Sequence, residues 1–281
     1  MFNSFQKLIS PPKGMNFDFS EPKGSSALAP EHGILWQVFS NPISLYIGGI
    51  AAVLLELTEP SVGSGVWDHS NFKIDTFGRL QRTGYAAMVT VYAPKDIAEK
   101  MIAHVVKMHA QVKGTNFIGQ SYYANDPRLL TWVQSTALFG FTEAYSKFVK
   151  PLSTLQKDSA FIEGQTSAKL YGAQNLPKSW TEWEQLYENT QPNLKDSQIL
   201  AEFIEIMQHA EILPRPFKWL QTLMVKAAID ISPESIKSMP SLSDLKLTQI
   251  ERFFLKFLAK LTHWFPLPQL PPSQAKKRMN I

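Results

Sequence analysis

The stretch that decides the fold is DIAEKMIAHVVKMHAQVK, residues 96–113. Apolar residues recur in it every three or four positions, which is the spacing of one face of an α-helix. Asp96 can begin this helix and Gly114 can end it. His109 lies on the apolar face and His104 lies on the same broad face. A histidine in such a position is either a core residue held by hydrogen bonds or a ligand, and the pattern leaves both readings open.

Helical patterns continue on both sides of this stretch, each bounded by a capping residue or a proline. Asp75 begins a helix that ends near Tyr92, Asp126 begins one that ends near Val149, and Ser153 begins the next. Alternating strand patterns are nearly absent. We therefore predict an all-α fold, a helical bundle in a single domain. Further helices are expected over residues 42–57, 179–189, 195–210, 216–229 and 243–264.

The chain divides into three predicted segments. Residues 1–33 are rich in Pro, Gly and Ser and are expected to form an extended N-terminal arm. Residues 34–265 form the all-α domain, in which Pro60 and the glycine at 63 mark a connection between helices. Residues 266–281 are expected to form a basic, Pro-rich and extended C-terminal tail.

The composition excludes several classes of site. The chain of 281 residues has no cysteine, so thiolate nucleophiles, disulfides, iron–sulfur clusters and thiolate-ligated haem are ruled out. The net charge of +4 is uneven, because residues 252–281 hold six Lys and Arg and no acidic residue. The rest of the chain is slightly acidic, so we expect no nucleic-acid partner.

Two apolar segments bear on membranes and location. The run over residues 43–57 is shorter than the roughly 20 residues of a membrane span and contains Glu56, so we expect a buried core helix. The first residues lack the pattern of a signal peptide, and we expect a cytoplasmic protein. Residues 252–265, RFFLKFLAKLTHWF, fit an interfacial membrane helix, although a helix docked on its own domain is the favoured reading.

Polar residues that could serve a site lie on the preceding helix. Arg79 and Thr83 are four residues apart, and Arg79 and Arg82 are three apart, so the three share one face. Two arginines on one face can bind carboxylates or phosphates, such as haem propionates; the alternative is a solvated basic face. His69 is a further candidate ligand or a turn residue.

Five short motifs, taken in order, resemble one family. The succession is similar to the catalytic domain shared by the fungal MpaB oxygenase of mycophenolic acid biosynthesis and the bacterial latex-clearing rubber oxygenases. The resemblance covers roughly residues 35–230. The motifs are LLELTEPSVGSGVWDHSNF (54–72), DTFGRLQRT (75–83), VKMHAQVKG (106–114), YYANDPRLLTWVQST (122–136) and EAYSKFVKPLS (143–153).

The resemblance implies a globin-like helical fold around haem b, whose iron His109 would hold as the axial ligand. It implies that Arg79 and Thr83 lie on the other side of the haem pocket, and we expect these two residues and Arg82 to act in catalysis. Arg79 and Arg82 are also candidates for binding the cofactor, and His69 and His104 are the alternative candidates to His109. The implied activity is that of an oxidoreductase, a haem-dependent oxygenase that cleaves or oxidises an apolar substrate, such as an isoprenoid, with dioxygen. The alternative is a non-catalytic protein of the same fold that binds haem or a hydrophobic ligand.

This chain departs from the family pattern at two points. The rubber oxygenases have a lysine three residues after the arginine, which can bind the iron; here the residue is Arg82, whose guanidinium is a poor iron ligand because it stays protonated. They also use a catalytic glutamate upstream of the arginine. Glu59 and Asp68 are the nearest acidic candidates for that role.

Overall fold

The computed structural model describes residues 11–12, 14–213, 215–265 and 267–281. Its regular structure is almost entirely helical, which confirms the all-α prediction. The likeness to a globin and the domain boundaries stay predictions. The helices are α1 (Ile34–Val38), α2 (Pro42–Thr58), α3 (Pro60–His69), α4 (Thr76–Tyr92), α5 (Lys95–His109), α6 (Pro127–Phe148), α7 (Thr154–Tyr171), α8 (Trp180–Thr190), α9 (Gln198–His209), α10 (Lys218–Ile231), α11 (Glu234–Lys237), α12 (Gln249–Trp264) and α13 (Pro271–Met279), and the strands β1 (Lys113–Thr115) and β2 (Ser121–Tyr123) pair antiparallel.

The two central helices, α2 and α6, cross at a pair of glycines. A Cβ atom added to Gly140 would lie only 2.5 Å from the main-chain oxygen of Gly48, so the two backbones touch directly. Ile47 and Leu54 of α2 are fully buried around this crossing. The apolar run over residues 43–57 is therefore a core helix, as predicted.

The remaining helices pack around this pair. α7 packs against α6, while α10 and α12 pack against both central helices. α1 is held in place by Glu163 of α7, whose carboxylate accepts hydrogen bonds from the main-chain N–H groups of Ile34 and Leu35 at 2.8 and 2.9 Å. α4 packs chiefly against α5 and α13.

Residues 60–69 form a helix, so the prediction of a plain connection there was wrong. Glu59 is the reason, because its side chain caps the first turn, and Pro60 occupies the first helical position, where no N–H is needed. Gly63 permits a tight bend, since a Cβ atom there would lie 2.7 Å from the main-chain oxygen of Leu57. The proline and the glycine mark a sharp turn between two helices.

α5 ends at His109, five residues before the predicted end at Gly114. The chain turns at this point, and the N–H of Val112 donates to the carbonyl of His109 at 2.9 Å. It then enters β1, whose residue Gly114 lies opposite Tyr122 of β2. The hairpin thus takes the last residues of the predicted helix, and His109 becomes a helix-terminal residue.

The C-terminal tail is not extended along its whole length, because residues 271–279 form α13. Prolines at 271 and 272 fit the first turn of a helix, where their missing N–H groups cost nothing. The Arg278 guanidinium is buried and donates hydrogen bonds to the carbonyls of Phe19 and Ser25, both at 2.8 Å. This arginine docks the tail on the N-terminal segment.

The described part of residues 1–33 runs over the surface of the domain as a non-helical segment. Phe19 is buried, and its ring lies edge-on to Tyr85 of α4 with 5.7 Å between centroids. Phe17 stacks on the same tyrosine at 6.2 Å. The first ten residues of the predicted arm, and residue 13, lie outside the described residues.

No single helix within the described residues combines the length and the apolar composition needed to cross a membrane. α2 and α3 together reach that length and composition, but the chain bends by 108° between them.

Candidate functional site

His109 stands at the C-terminal end of α5, where the helix gives way to the turn before β1. Its side chain is partly buried, and its Nδ1 atom is buried with no hydrogen-bond partner in the described part of the chain. Burial, and to a lesser degree the charge of Arg79, lower the pKa of His109 from its ordinary value. The imidazole is therefore neutral near pH 7, the form in which a ring nitrogen can bind a metal.

Arg79 lies in the first half of α4 and faces inward. Burial lowers the pKa of its guanidinium, and the carboxylate of Glu56 opposes that shift. An arginine remains charged even so, because its ordinary pKa is above about 12. Arg79 therefore places a positive charge beside His109 in a poorly solvated environment.

The other two polar residues predicted on α4 do not join this inward-facing group. Arg82 forms an ion pair with Asp75, at 3.2 Å from Nη1 to the carboxylate, on the exposed side of the helix. Thr83 is exposed. Of the three residues that share a face by spacing, only Arg79 interacts with His109.

The acidic partner of Arg79 is Glu56 of α2, a residue that was not among the predicted candidates. Burial raises the pKa of Glu56 to about 7, while the charge of Arg79 and the hydroxyl of Thr136 oppose the increase. The sequence did contain a signal, because Glu56 is the one charged residue in the apolar run over residues 43–57. An acid inside a core helix needs a partner or a function.

Neither Glu59 nor Asp68, the acidic candidates named from the sequence, is the residue whose charge acts on Arg79. The carboxylate of Glu59 caps α3, accepting from the N–H groups of Ser61 and Val62 at 2.7 and 2.8 Å, and pairs with Arg128 at 3.2 Å. Its role is structural. Asp68 is exposed near the end of α3.

The remaining candidate histidines also lie apart from His109. His104 is exposed on α5. The broad apolar face predicted for this helix is therefore only partly covered by the rest of the described protein. His69 is exposed at the end of α3, with its ring 6.4 Å from that of Tyr122. The charge of Arg79 acts on His109 and the charge of Glu56 acts on Arg79, so these three residues from three helices form one electrostatic group.

Two residues of the central helix α2 combine burial with some remaining accessible surface. Tyr46 and Glu56 lie deep enough for burial to raise their pKa values, yet both retain accessible surface. The hydroxyl oxygen of Tyr46 is itself buried without a hydrogen-bond partner among the described residues. Accessible surface on a central helix indicates incomplete packing beside α2. Partly accessible residues at helical spacing on the two central helices include Tyr46, Gly49, Val53 and Glu56 on α2, and Val133, Ala137 and Phe141 on α6.

Residues 36–264 match the model of a protein family described as "ER-bound oxygenase mpaB/B'/Rubber oxygenase, catalytic domain". The match spans about four fifths of the chain. The chain belongs to this family. The oxygenase-family domain includes His109, Arg79 and Glu56, and it extends beyond the expected end near residue 230 to take in all of α12.

Two curated relatives of this oxygenase-family chain are described as uncharacterized. One uncharacterized protein of Mycobacterium bovis and one of Mycobacterium tuberculosis are each 31% identical to it over 121 residues. That stretch covers 41% of this chain and 47% of each relative, so the chain spans about half the length of the curated relatives it matches. No solved structure matches the chain.

Proposed function

We propose that this member of the oxygenase family is a haem b-dependent oxygenase that cleaves or oxidises an apolar, isoprenoid-like substrate with dioxygen. The observation that supports it best is the position of His109. Its neutral imidazole lies at a helix end, with a buried ring nitrogen that has no partner in the described residues. Family membership supplies the general oxygenase chemistry.

The residues present fit a haem better than a bare metal ion. Among the described residues there is no group of three or more His, Asp or Glu that could hold a metal. A porphyrin brings four nitrogen ligands of its own, so one histidine is enough to attach it. The partly accessible residues Val53, Ala137 and Phe141 of the two central helices are apolar and would suit a flat ring system.

Each of the three polar residues has a distinct role in this proposal. His109 would hold the haem iron through a ring nitrogen. Arg79 would bind a propionate or another anionic group. Burial leaves its positive charge poorly solvated, and such a charge attracts an anion more strongly than it would in water. When bound, haem supplies the dioxygen chemistry that no side chain of this protein can provide.

Glu56 would hold or release a proton at its carboxyl oxygen. Since its pKa is about 7, both protonation states are populated at neutral pH, which suits a general acid or base. The Thr136 hydroxyl and the Arg79 charge favour the ionised form. The other partly accessible positions on α2 and α6 are mostly apolar, which would suit an apolar substrate.

The visible spectrum of the full-length protein supplied with haem tests the cofactor. We expect a Soret band that His109→Ala shifts or abolishes. His104→Ala is the matched control, because His104 lies on the same helix but is exposed. A His109→Ala spectrum identical to that of the unmodified protein would contradict the proposed ligand.

The second candidate is a non-catalytic protein that binds haem or a hydrophobic ligand. The exposed position of Thr83 and the Arg82–Asp75 ion pair favour it, since two of the three residues expected to act in catalysis lie away from His109. Oxygen consumption and carbonyl products from prenyl compounds separate the two candidates. Turnover that Glu56→Gln reduces supports the enzyme, and haem binding without turnover of any prenyl compound supports the binding protein.

A further inference from the structure

One face of α12 exposes a row of large apolar side chains. The exposed fraction is 83% for Ile250, 74% for Phe253 and 71% for Trp264. The members recur every three or four residues, so they form one continuous stripe along the helix. The stripe consists of Ile250, Phe253, Phe257, Leu261 and Trp264.

The opposite face of α12 is fixed to the core. Leu255 and Ala259 are fully buried, and the side-chain amide of Asn41 donates to the carbonyl of Ala259 at 2.7 Å. The capping box formed by Thr248 and Glu251 defines the start of the helix. The rotation of α12 about its axis is therefore set by core packing, and the stripe faces outward as a result.

The apolar surface continues beyond the helix. Trp219, half-exposed, packs against Phe254 with 5.3 Å between ring centroids. Phe217 and Phe265 are exposed as well. The three aromatic residues of the stripe alone expose on the order of 400 Å², which is already the size of a patch that usually has a binding role.

Within the described part of the chain, the charged side chains of this helix that have no ion-pair partner are positive. Lys256 and Lys260 are exposed along one edge of the stripe. The one acidic residue of α12, Glu251, is paired with Lys226 at 2.8 Å. Residues 252–281 contain no acidic residue, so nothing in that part of the sequence offsets the positive edge.

We propose that this face of α12 docks on an anionic membrane surface. Phe253, Phe257 and Trp264 would enter the boundary between headgroups and acyl chains, and the two lysines would contact lipid phosphates. A second copy of the chain fits less well, because it would present the same positive charges to this surface. The proposal does not depend on the cofactor or on the activity proposed above.

Vesicle binding by the full-length protein tests the proposal. The unmodified protein should bind vesicles of mixed phosphatidylcholine and phosphatidylserine more strongly than vesicles of phosphatidylcholine alone. The triple variant Phe253→Ser, Phe257→Ser, Trp264→Ser should lose at least about tenfold in partition coefficient. The matched control replaces three apolar residues that are similarly exposed elsewhere, Ile74→Ser, Leu155→Ser and Ile162→Ser, and should bind like the unmodified protein.

Because the chain has no cysteine, a single introduced thiol can carry an environment-sensitive dye. A dye at Phe257→Cys should shift to the blue on vesicle addition, whereas a dye at Leu155→Cys should not. If the triple serine variant fails to fold, Lys256→Gln with Lys260→Gln should still lose about tenfold or more on phosphatidylserine vesicles, given that each lysine contributes about fivefold.

Three results would overturn the proposal. The first is the absence of binding to either vesicle by the unmodified protein. The second is equal binding by the triple variant and its matched control, when both are folded. The third is a dimer of the unmodified protein that the triple variant dissociates while vesicles have no effect, which would assign the stripe to a second copy of the chain.

Discussion

Replacing Glu56 by glutamine should change how the stability of the haem-free protein depends on pH. Burial raises the pKa of Glu56 from 4.5 to about 7 in the folded protein. Between these two values the unfolded chain releases the proton that the folded protein keeps. Unfolding is therefore favoured as the pH rises through this window, and the free energy of unfolding falls by up to about 1.4 kcal/mol per pH unit.

The full shift corresponds to about 3 kcal/mol, lost between pH 4.5 and about 7 and constant at higher pH. Glu56→Gln cannot ionise and should not show this loss. Its stability relative to the unmodified protein should therefore rise with pH across the window, by up to about 3 kcal/mol. The attraction between the ionised Glu56 and Arg79 is already contained in the pKa of about 7, so an offset that does not change with pH arises only from replacing a carboxyl by an amide group.

Chemical denaturation at a series of pH values measures this difference directly. Glu205→Gln is the control, because Glu205 is exposed on α9 and its replacement should leave the pH profile unchanged. A difference between Glu56→Gln and the unmodified protein that is the same at every pH would refute the reasoning. It would mean that the carboxyl group of Glu56 is solvated and not confined between α2 and α4.

Three further substitutions test the packing. Gly140→Ala places a carbon 2.5 Å from a main-chain oxygen and should lower the free energy of unfolding by about 1–3 kcal/mol. Gly49→Ala meets only an ordinary contact and should be neutral or stabilising. Equal effects of the two substitutions in denaturant melts would exclude the close helix crossing. Leu255 is fully buried, so Leu255→Ala should lower the free energy of unfolding by about 2–5 kcal/mol. Leu261 is exposed, so Leu261→Ala should lower it by less than about 1 kcal/mol. The reverse order would mean that α12 is rotated about its axis. Arg278→Met should expose the N-terminal segment to protease, and unchanged cleavage would contradict its anchoring role.

Helix boundaries were predictable wherever a capping side chain marks them. Asp75, Asp126 and Ser153 each cap the helix that the sequence assigned to them. Such caps act over three residues and are readable from the chain alone. The helix over residues 60–69 was missed because proline and glycine occur both in plain connections and at tight bends between helices. Here the close approach of Gly63 to the main-chain oxygen of Leu57 identifies a tight bend.

The candidate site was predictable only in part. His109 was identified by the family resemblance, and the structure brings it beside Arg79. Glu56 was missed because its relation to Arg79 joins α2 to α4 across the molecule, and no local spacing encodes it. The sequence alone also did not distinguish Arg79 from Arg82, because the two share one helix face by spacing. In the structure the guanidinium of Arg82 forms an ion pair with Asp75 at the start of α4.

The contacts that hold α4 have a consequence for biosynthesis. This helix is clamped by the segment around Phe19 and by α13, and Arg278 bonds to a carbonyl 259 residues earlier in the chain. A ribosome adds roughly 5–20 residues each second, so the two halves of the clamp emerge many seconds apart. During that interval α2 and α6 can already pair, while the side of the bundle that carries Arg79 is not yet fastened. The side of the bundle that carries Arg79 is therefore the last part of the described domain to be fixed in place.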